Sequence, residues 1–80
     1  MASIKVRLIF AEELIKVPVI YNIGKQFDVV TNIRRANVDS KLGWVDVELT
    51  GDEEEIKKGI KYAEEQGVEV DLIEGDIVES

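Results

Sequence analysis

A hairpin in the middle of the chain constrains the fold more than any other feature of the sequence. Residues 29–38 and 44–50 are rich in β-branched side chains, and the second run alternates regularly between apolar and polar residues. The short polar segment 39–41, with Gly43 just beyond it, has the composition of a tight turn. Because helix-like segments flank this hairpin on both sides, the chain is predicted to fold around a central antiparallel pair of strands.

Two further strands and a first helix are predicted from the spacing of apolar residues. Alternation predicts strands at 4–10 and at 68–72. The segment 11–17 has no settled period, so it is predicted to be a connection. Helical spacing predicts the first helix at 18–27, where Pro18 suits the first helical position because its missing N–H costs nothing there.

The second helix has the clearest signals in the sequence. Asp52, followed three residues later by Glu55, forms a D-x-x-E capping signature at its beginning, and Gly67 is the residue expected just past its end. Gly59 and Ala63 lie on its apolar stripe, and their small size would let this helix lie close on a sheet.

The order of elements is β-α-β-β-α-β, and right-handed connections restrict the topologies open to such a chain. The pattern predicts an α+β fold, a ferredoxin-like βαββαβ sandwich with an antiparallel sheet in the order 4-1-3-2 and two helices on one face. Residues 1–73 are predicted to form this single domain, and residues 74–80 a polar C-terminal tail.

The positions of charged residues agree with this topology. In the predicted order, the first strand lies between the third and the fourth. The residues facing away from the helices would be Lys5 and Arg7 on strand one, Asp46 and Glu48 on strand three, and Glu69 and Asp71 on strand four. A basic central strand between two acidic strands is a pairing that sheets favour.

The composition excludes several classes of function. The 80 residues form one domain at most, and they include neither cysteine nor histidine. Without cysteine the chain has no disulfide, thiolate metal site or iron–sulfur cluster. Without histidine it lacks the commonest transition-metal ligand and the usual general base near neutral pH. We therefore expect no metal, no cofactor and no catalysis by this chain.

Charge and hydropathy limit the partners. The chain has 17 acidic and 10 basic residues and a formal net charge of −7, so it should repel phosphate backbones, and nucleic acid is not expected as a partner. No apolar stretch approaches the roughly 20 residues that span a bilayer, and the N-terminus lacks the apolar segment of a signal peptide. A soluble, cytoplasmic protein without contact to a membrane is predicted.

The first run of the hairpin carries more polar side chains than a strand that only covers a core would need. Asn32, Ile33 and Arg34 are the candidate ligand-binding residues, because an amide offers both donor and acceptor and a guanidinium binds a carboxylate through two hydrogen bonds. The alternative is a solvated edge strand whose charges prevent aggregation. The register is open, since Ile33 and Val38 have opposite parity, and a β-bulge between them would reconcile both.

Trp44 has the parity opposite to the apolar residues of its strand, so it is predicted to face the side of the sheet without helices. A large aromatic residue there suits a protein interface or the wall of a small-ligand site, and the alternative is a single exposed apolar residue, which is common. Trp44, Asn32 and Val38 are the candidate interface residues.

Several short segments in register resemble one known family, the NIL domain. They are Pro18-Val19-x-Tyr21, Phe27-Asp28-Val29, Asn32-Ile33-x-Arg35-Ala36-x-Val38, Gly43-Trp44, Val47-Glu48-Leu49-x-Gly51 and Gln66-Gly67-Val68-x-Val70. The resemblance covers nearly the whole chain and implies a topology similar to that of ACT-type regulatory domains, which is the fold predicted above.

The family's best-known setting is the C-terminal regulatory part of methionine-import ABC ATPases, where the domain pairs with its twin and senses cytoplasmic methionine. The resemblance implies that the asparagine of the family's naming motif falls on Asn32. Arg34 stands where leucine is typical, and the chain has no P-loop. A homodimer and an amino-acid-like ligand are expected on this basis.

A second group of proteins with NIL domains has similar local sequence segments. The PVxY and NIxRAxV segments resemble the N-terminal half of small NIL–ferredoxin proteins, which are implicated, beside a larger partner, in reductive sulfur incorporation during homocysteine synthesis. This chain has no cysteine, so the resemblance implies either a cluster-free member or an excised domain.

Three hypotheses follow from the sequence. The first is a non-catalytic module that recognises a small ligand, such as the sulfur amino acid methionine, or a partner protein. The second is an accessory subunit that docks onto a larger sulfur-transfer or transporter partner. The third is a plain homodimerisation domain.

Overall fold

The computed structural model describes residues 1–39, 41–73 and 78–79. The strands are β1 (Ala2–Ala11), β2 (Val29–Val38), β3 (Leu42–Gly51), β4 (Glu69–Leu72) and a short β5 (Val78–Glu79), and the helices are a 3-10 turn (Glu12–Leu14), α1 (Val19–Gln26) and α2 (Glu53–Glu65). The predicted β-α-β-β-α-β order is confirmed from β1 to β4, and the segment predicted as a connection contains the 3-10 turn.

All strand pairs are antiparallel, and the main path through the sheet is β2-β3-β1-β4. Read from the other edge, this is the predicted 4-1-3-2 order, so the ferredoxin-like fold is confirmed. Within the predicted tail, residues 74–77 and 80 lie outside the described residues. Residues 78–79 are described, and they pair with the beginning of β1.

The core lies between the two helices and one face of the sheet. Its most buried large side chains are Val6, Leu8, Val19, Ile23, Val47, Leu49 and Ile56. On β1 every second residue from Ala2 to Phe10 is buried, because alternate side chains of a strand point to opposite faces. We call the other face, which carries Arg7, Trp44 and Asp46, the open face.

Gly59 is predicted to let the second helix lie close on the sheet, but the structure places Gly59 against α1. A Cβ atom added to Gly59 would lie 3.1 Å from Cγ2 of Ile23 on α1, and Ala63 is fully buried. Gly67 has a φ of 97°, the left-handed conformation expected just past a helix end.

The predicted capping box of α2 is wrong. Asp52 is the N-cap residue by position, but its side chain makes no capping hydrogen bond. Glu55 instead accepts a hydrogen bond of 3.0 Å from the backbone N–H of Asp28 and pairs with Lys58 at 3.1 Å. The connection between α1 and β2 passes beside the first turn of α2, and its backbone donor takes the carboxylate that the capping box would have used.

Candidate ligand site on the hairpin

The structure settles the register of β2, which the sequence left open, with a β-bulge between Ile33 and Val38. The pairing of β2 with β3 proceeds regularly from Val29 to Ile33, which lies opposite Val47, and the next paired residue is Arg35 opposite Asp46. Arg34 is therefore the extra residue of a β-bulge, a feature that re-aims a side chain. As a result, two neighbouring arginines both reach carboxylates of the open face, Arg35 at Asp46 and Arg34 near Glu48.

Asp46 is the centre of a charged cluster on the open face. The Nε and Nη2 of Arg7 donate hydrogen bonds of 2.7 and 3.0 Å to its two carboxylate oxygens. The Nε and Nη2 of Arg35 donate to Oδ2 of the same carboxylate at 3.3 and 3.1 Å. Asp46 is only 4% exposed although no helix covers it, because guanidinium groups from both neighbouring strands lie over it.

These contacts keep Asp46 and Arg7 ionised. Hydrogen bonds from Arg7 lower the pKa of Asp46, its desolvation acts in the opposite direction, and hydrogen bonds from Arg35 lower the pKa further. The hydrogen bond to Asp46 also raises the pKa of Arg7. The carboxylate of Asp46 and the guanidinium of Arg7 are therefore charged at neutral pH.

Trp44 faces the open face, as predicted, but it is half-buried. The guanidinium carbon of Arg7 lies 4.2 Å from a ring centroid of its indole, and that of Arg35 lies at 5.8 Å. Cation–π contacts of this kind are electrostatically favourable. The indole is thus part of the support for the two arginines.

The candidate ligand residues divide between the two faces. Asn32 lies opposite Glu48 on the open face, and Ile33 lies opposite Val47 on the helix-covered face. Both are exposed, and the Asn32 side chain has no hydrogen bond with any residue that the structure describes. The Nη1 of Arg34 lies 3.8 Å from a carboxylate oxygen of Glu48, beyond hydrogen-bonding distance.

The candidate interface residues also divide. Trp44 and Asn32 belong to the open face, whereas Val38 pairs with Gly43, which places it on the helix-covered face. Val38 is 55% exposed although it lies on that face. No single flat surface contains all three residues.

A cleft of about 330 Å³ opens on the charged side of the hairpin. Its lining residues are Lys5, Arg34, Arg35, Asp46, Val47 and Ile73. From the sequence, Arg34 was a candidate ligand-binding residue, whereas Lys5 and Asp46 were predicted only to take part in charge pairing between strands. The bulge brings Lys5, Arg34 and Asp46 together with Arg35. The adjacent pair Arg34-Arg35 was the feature of the sequence that could have indicated this cluster.

An apolar groove of about 170 Å³ lies at the turn end of the hairpin on the helix-covered face. It is lined by Phe10, Ile15, Val17, Pro18, Val19, Ile20, Tyr21, Val38, Gly43 and Val45. The sequence reading missed it. The apolar residues in the connection before α1 were the feature of the sequence that could have indicated this groove. Gly43 leaves space in the groove, since a Cβ there would lie 3.3 Å from the methyl groups of Val38.

No group of three or more potential metal-ligating side chains lies together in residues 1–39, 41–73 and 78–79. Within the same residues, no helix is both long enough and apolar enough to cross a membrane.

The fold and the open hairpin define a small ferredoxin-like domain that leaves one sheet face and one long edge strand accessible to other molecules. The family model of the NIL domain matches residues 5–72. The chain therefore belongs to the NIL domain family, which confirms the resemblance noted from its sequence segments.

A solved structure shares this fold over nearly its whole length. It is the crystal structure of the C-terminal domain of an ABC transporter ATP-binding protein from Enterococcus faecalis, with a TM-score of 0.77 and 27% sequence identity. The match covers 91% of this chain and 86% of that one. A search of curated proteins found no significant match.

Proposed function

We propose that this protein is a non-catalytic regulatory module that recognises a small amino-acid-like ligand, such as the sulfur amino acids methionine and homocysteine. The observation that carries the proposal is the state of Asn32 and Arg34. In the part of the chain that is described, neither side chain makes a hydrogen bond, although they lie close together on the open face of an edge strand. Membership of the NIL family supports the same role.

The outer edge of β2 is the proposed place for the ligand. An edge strand leaves a row of backbone donors and acceptors unpaired, and a ligand lying along it can contact residues of both faces. Arg34 would bind the carboxylate through two hydrogen bonds, and the amide oxygen of Asn32 would accept from the ammonium group. Ile33, on the other face, would contact the apolar side chain of the ligand.

A second copy of the chain is the proposed partner along this edge. Pairing of two β2 strands would cover the exposed side chains of Ile33 and Val38 and close the ligand site between the two copies. A domain of 80 residues buries only about 60 to 65% of the surface of its unfolded chain, so further burial in a dimer would add stability. Sedimentation velocity tests for this dimer.

Isothermal titration calorimetry with methionine and homocysteine tests the ligand. We expect saturable binding, weakened about tenfold or more in Arg34→Gln because a charge-assisted hydrogen-bonded pair is lost. Lys61→Gln is the matched control, since it removes the same charge from the exposed surface of α2. No heat and no thermal shift with millimolar ligand would reject the amino-acid sensor.

The apolar groove favours a second candidate function, an accessory module that docks onto a larger protein of sulfur transfer or of transport. Its rim includes the exposed side chains of Tyr21 and Val38, and solvent-exposed apolar surface of this kind marks interaction sites. The similar Enterococcus faecalis domain belongs to an ABC transporter ATP-binding protein. Tyr21→Glu would weaken docking to such a partner and leave calorimetric binding of amino acids unchanged, because Tyr21 lines the groove and lies outside the proposed ligand site.

A further inference from the structure

The bulge gives the hairpin an arrangement that a regular strand cannot have. Neighbouring residues of a strand point to opposite faces, yet Arg34 and Arg35 both reach carboxylates of the open face. The register shift between Ile33 and Arg35 is the cause. Two guanidinium groups therefore lie side by side above the sheet.

Each guanidinium faces a carboxylate of β3 and keeps donors for another molecule. Arg35 uses its Nε and Nη2 on Oδ2 of Asp46, and no described residue accepts a hydrogen bond from its Nη1. Arg34 faces Glu48 at 3.8 Å without a hydrogen bond. Glu48 itself accepts a hydrogen bond of 3.0 Å from the Ser3 hydroxyl, which holds its carboxylate toward β1. Asp46 thus preorganises the outward donor of Arg35, whereas Arg34 keeps all of its donors for another molecule.

The space in front of these donors is concave. The cleft lined by Arg34, Arg35 and Lys5 has a volume of about 330 Å³, within the range of roughly 300–1,000 Å³ that is usual for small-ligand pockets. Asp46 lies at its base and is buried by its two arginine partners. The carboxylate beneath the cleft fixes Arg35 and does not itself extend toward solvent.

We infer that this cleft is an oxyanion site, in which Arg34 and Arg35 together grip a phosphate, sulfate or carboxylate group of a small ligand. Guanidinium groups match the spacing of two oxygens on such groups and bind them through paired hydrogen bonds. In a chain with a net charge of −7, a local pair of arginines is the feature that attracts an anion the rest of the surface repels. The inference rests on the proposed ligand site for its location, because the two share Arg34.

The site assigns a specific part to Arg35 and Asp46. Arg35 contacts the oxyanion directly, and Asp46 is a positioning residue that holds Arg35 over Trp44. A single arginine would hold any carboxylate. Two arginines favour a group with three or more oxygens or two negative charges, so sulfate and phosphate should bind more tightly than acetate.

Heteronuclear NMR titration of the full chain at low ionic strength tests the site. Sodium sulfate, sodium phosphate and sodium acetate are added separately, and sodium chloride at matched ionic strength is the control for screening. We expect saturable shifts of backbone amides near residues 34–36 and 46–48, tighter for the two dianions. Arg34→Gln and Arg35→Gln should each weaken binding about tenfold or more, with Lys61→Gln equal to the parent.

The inference is overturned if the shifts increase linearly without saturation or if chloride reproduces them. It is also overturned if Lys61→Gln weakens binding as much as Arg35→Gln does. Calorimetry with methionine on the same proteins separates it from the proposed function. Saturable oxyanion binding without any methionine binding supports the oxyanion site and rejects the sulfur-amino-acid sensor. If methionine binds equally to the parent and to Arg35→Gln while sulfate binds to neither, the oxyanion site is rejected and the proposed function is retained.

Discussion

The two faces of the β2–β3 hairpin are built from the same strands but are held in place by different forces. On the helix-covered face, Val47 and Leu49 are buried beneath α1 and α2. On the open face, Asp46 lies between Val45 and Val47 in sequence, and its exposure of 4% is lower than the 8% of Val45. A carboxylate has therefore become as buried as a core valine without a helix above it.

The difference lies in what each face contributes. Apolar burial stabilises in proportion to the area removed from water and does not depend on exact orientation. The pairing of Asp46 with Arg7 and Arg35 needs exact orientation, and the cost of desolvating the charges offsets much of the attraction. We conclude that the helix-covered face supplies the stability of the hairpin and that the open face supplies its geometry.

The two cavities follow the same division. The groove beside Val38 is lined almost entirely by apolar side chains, whereas the cleft beside Arg34 is lined mostly by charged ones. The sheet separates them, so a small ligand can reach both only around the edge of β2. The hairpin thus has an apolar cavity on one face and a charged cavity on the other.

The largest expected effect tests the stability of the helix-covered face. Leu49→Ala leaves a cavity under the helices and should lower the free energy of unfolding by about 3 kcal/mol. Val30→Ala is the matched control on the same sheet, because Val30 is 64% exposed and should cost no more than about 0.5 kcal/mol. Urea unfolding followed by Trp44 fluorescence measures both. Equal losses would remove the contrast between the faces.

A smaller effect with a distinct pH dependence is expected at the open face. The pKa of Asp46 is lowered in the folded state, chiefly by Arg7, so its contribution to stability is present above the usual carboxyl pKa and is lost as the pH falls through the lowered value. Asp46→Asn should therefore destabilise at neutral pH, and the difference from the parent should shrink in acid.

Urea unfolding across the acidic range, with Glu48→Gln as the control on the same strand and face, measures this effect. Some pH dependence should persist in Asp46→Asn, because hydrogen bonds from backbone N–H groups also lower the pKa of Asp39 and of Glu55. A loss that stays constant down to low pH would show that Asp46 acts through packing and not through its charge.

The smallest effect is expected where the open face meets solvent. Arg34 is half exposed and has only the long contact to Glu48, so Arg34→Gln should change the free energy of unfolding by less than about 0.5 kcal/mol. The same variant is expected to lose ligand binding. A large loss of stability would mean that Arg34 is part of the scaffold and would remove it from the site.

Much of the fold was predictable because the elements follow local rules. The alternation in β1 and β3 determines which side chains face the core. The order of elements predicted β1 beside β3, and the charges of Lys5 and Arg7 opposite Asp46 and Glu48 agree with that pairing. Gly67 ended the second helix as expected. The capping box does not form, because the carboxylate of Glu55 accepts a hydrogen bond from the N–H of Asp28, which is distant in sequence.

The site was only partly predictable. Parity indicated that β2 needs a bulge between Ile33 and Val38, but it did not say which residue is the extra one. With Arg34 as that residue, Asn32 and Arg34 share the open face, whereas Ile33 and Val38 lie on the other. The groove near Pro18 depends on how α1 meets the hairpin turn, which no periodicity encodes.

The sequence by itself determined the order of strands and helices, the buried face of each and the sign of each charge, because these depend on side chains only a few positions apart. Only the tertiary structure decided that two neighbouring arginines share one face, that a carboxylate beneath them is shielded from water, and that an apolar groove remains beside the turn. Each of those outcomes depends on the register between strands, and register is set by packing across the whole sheet.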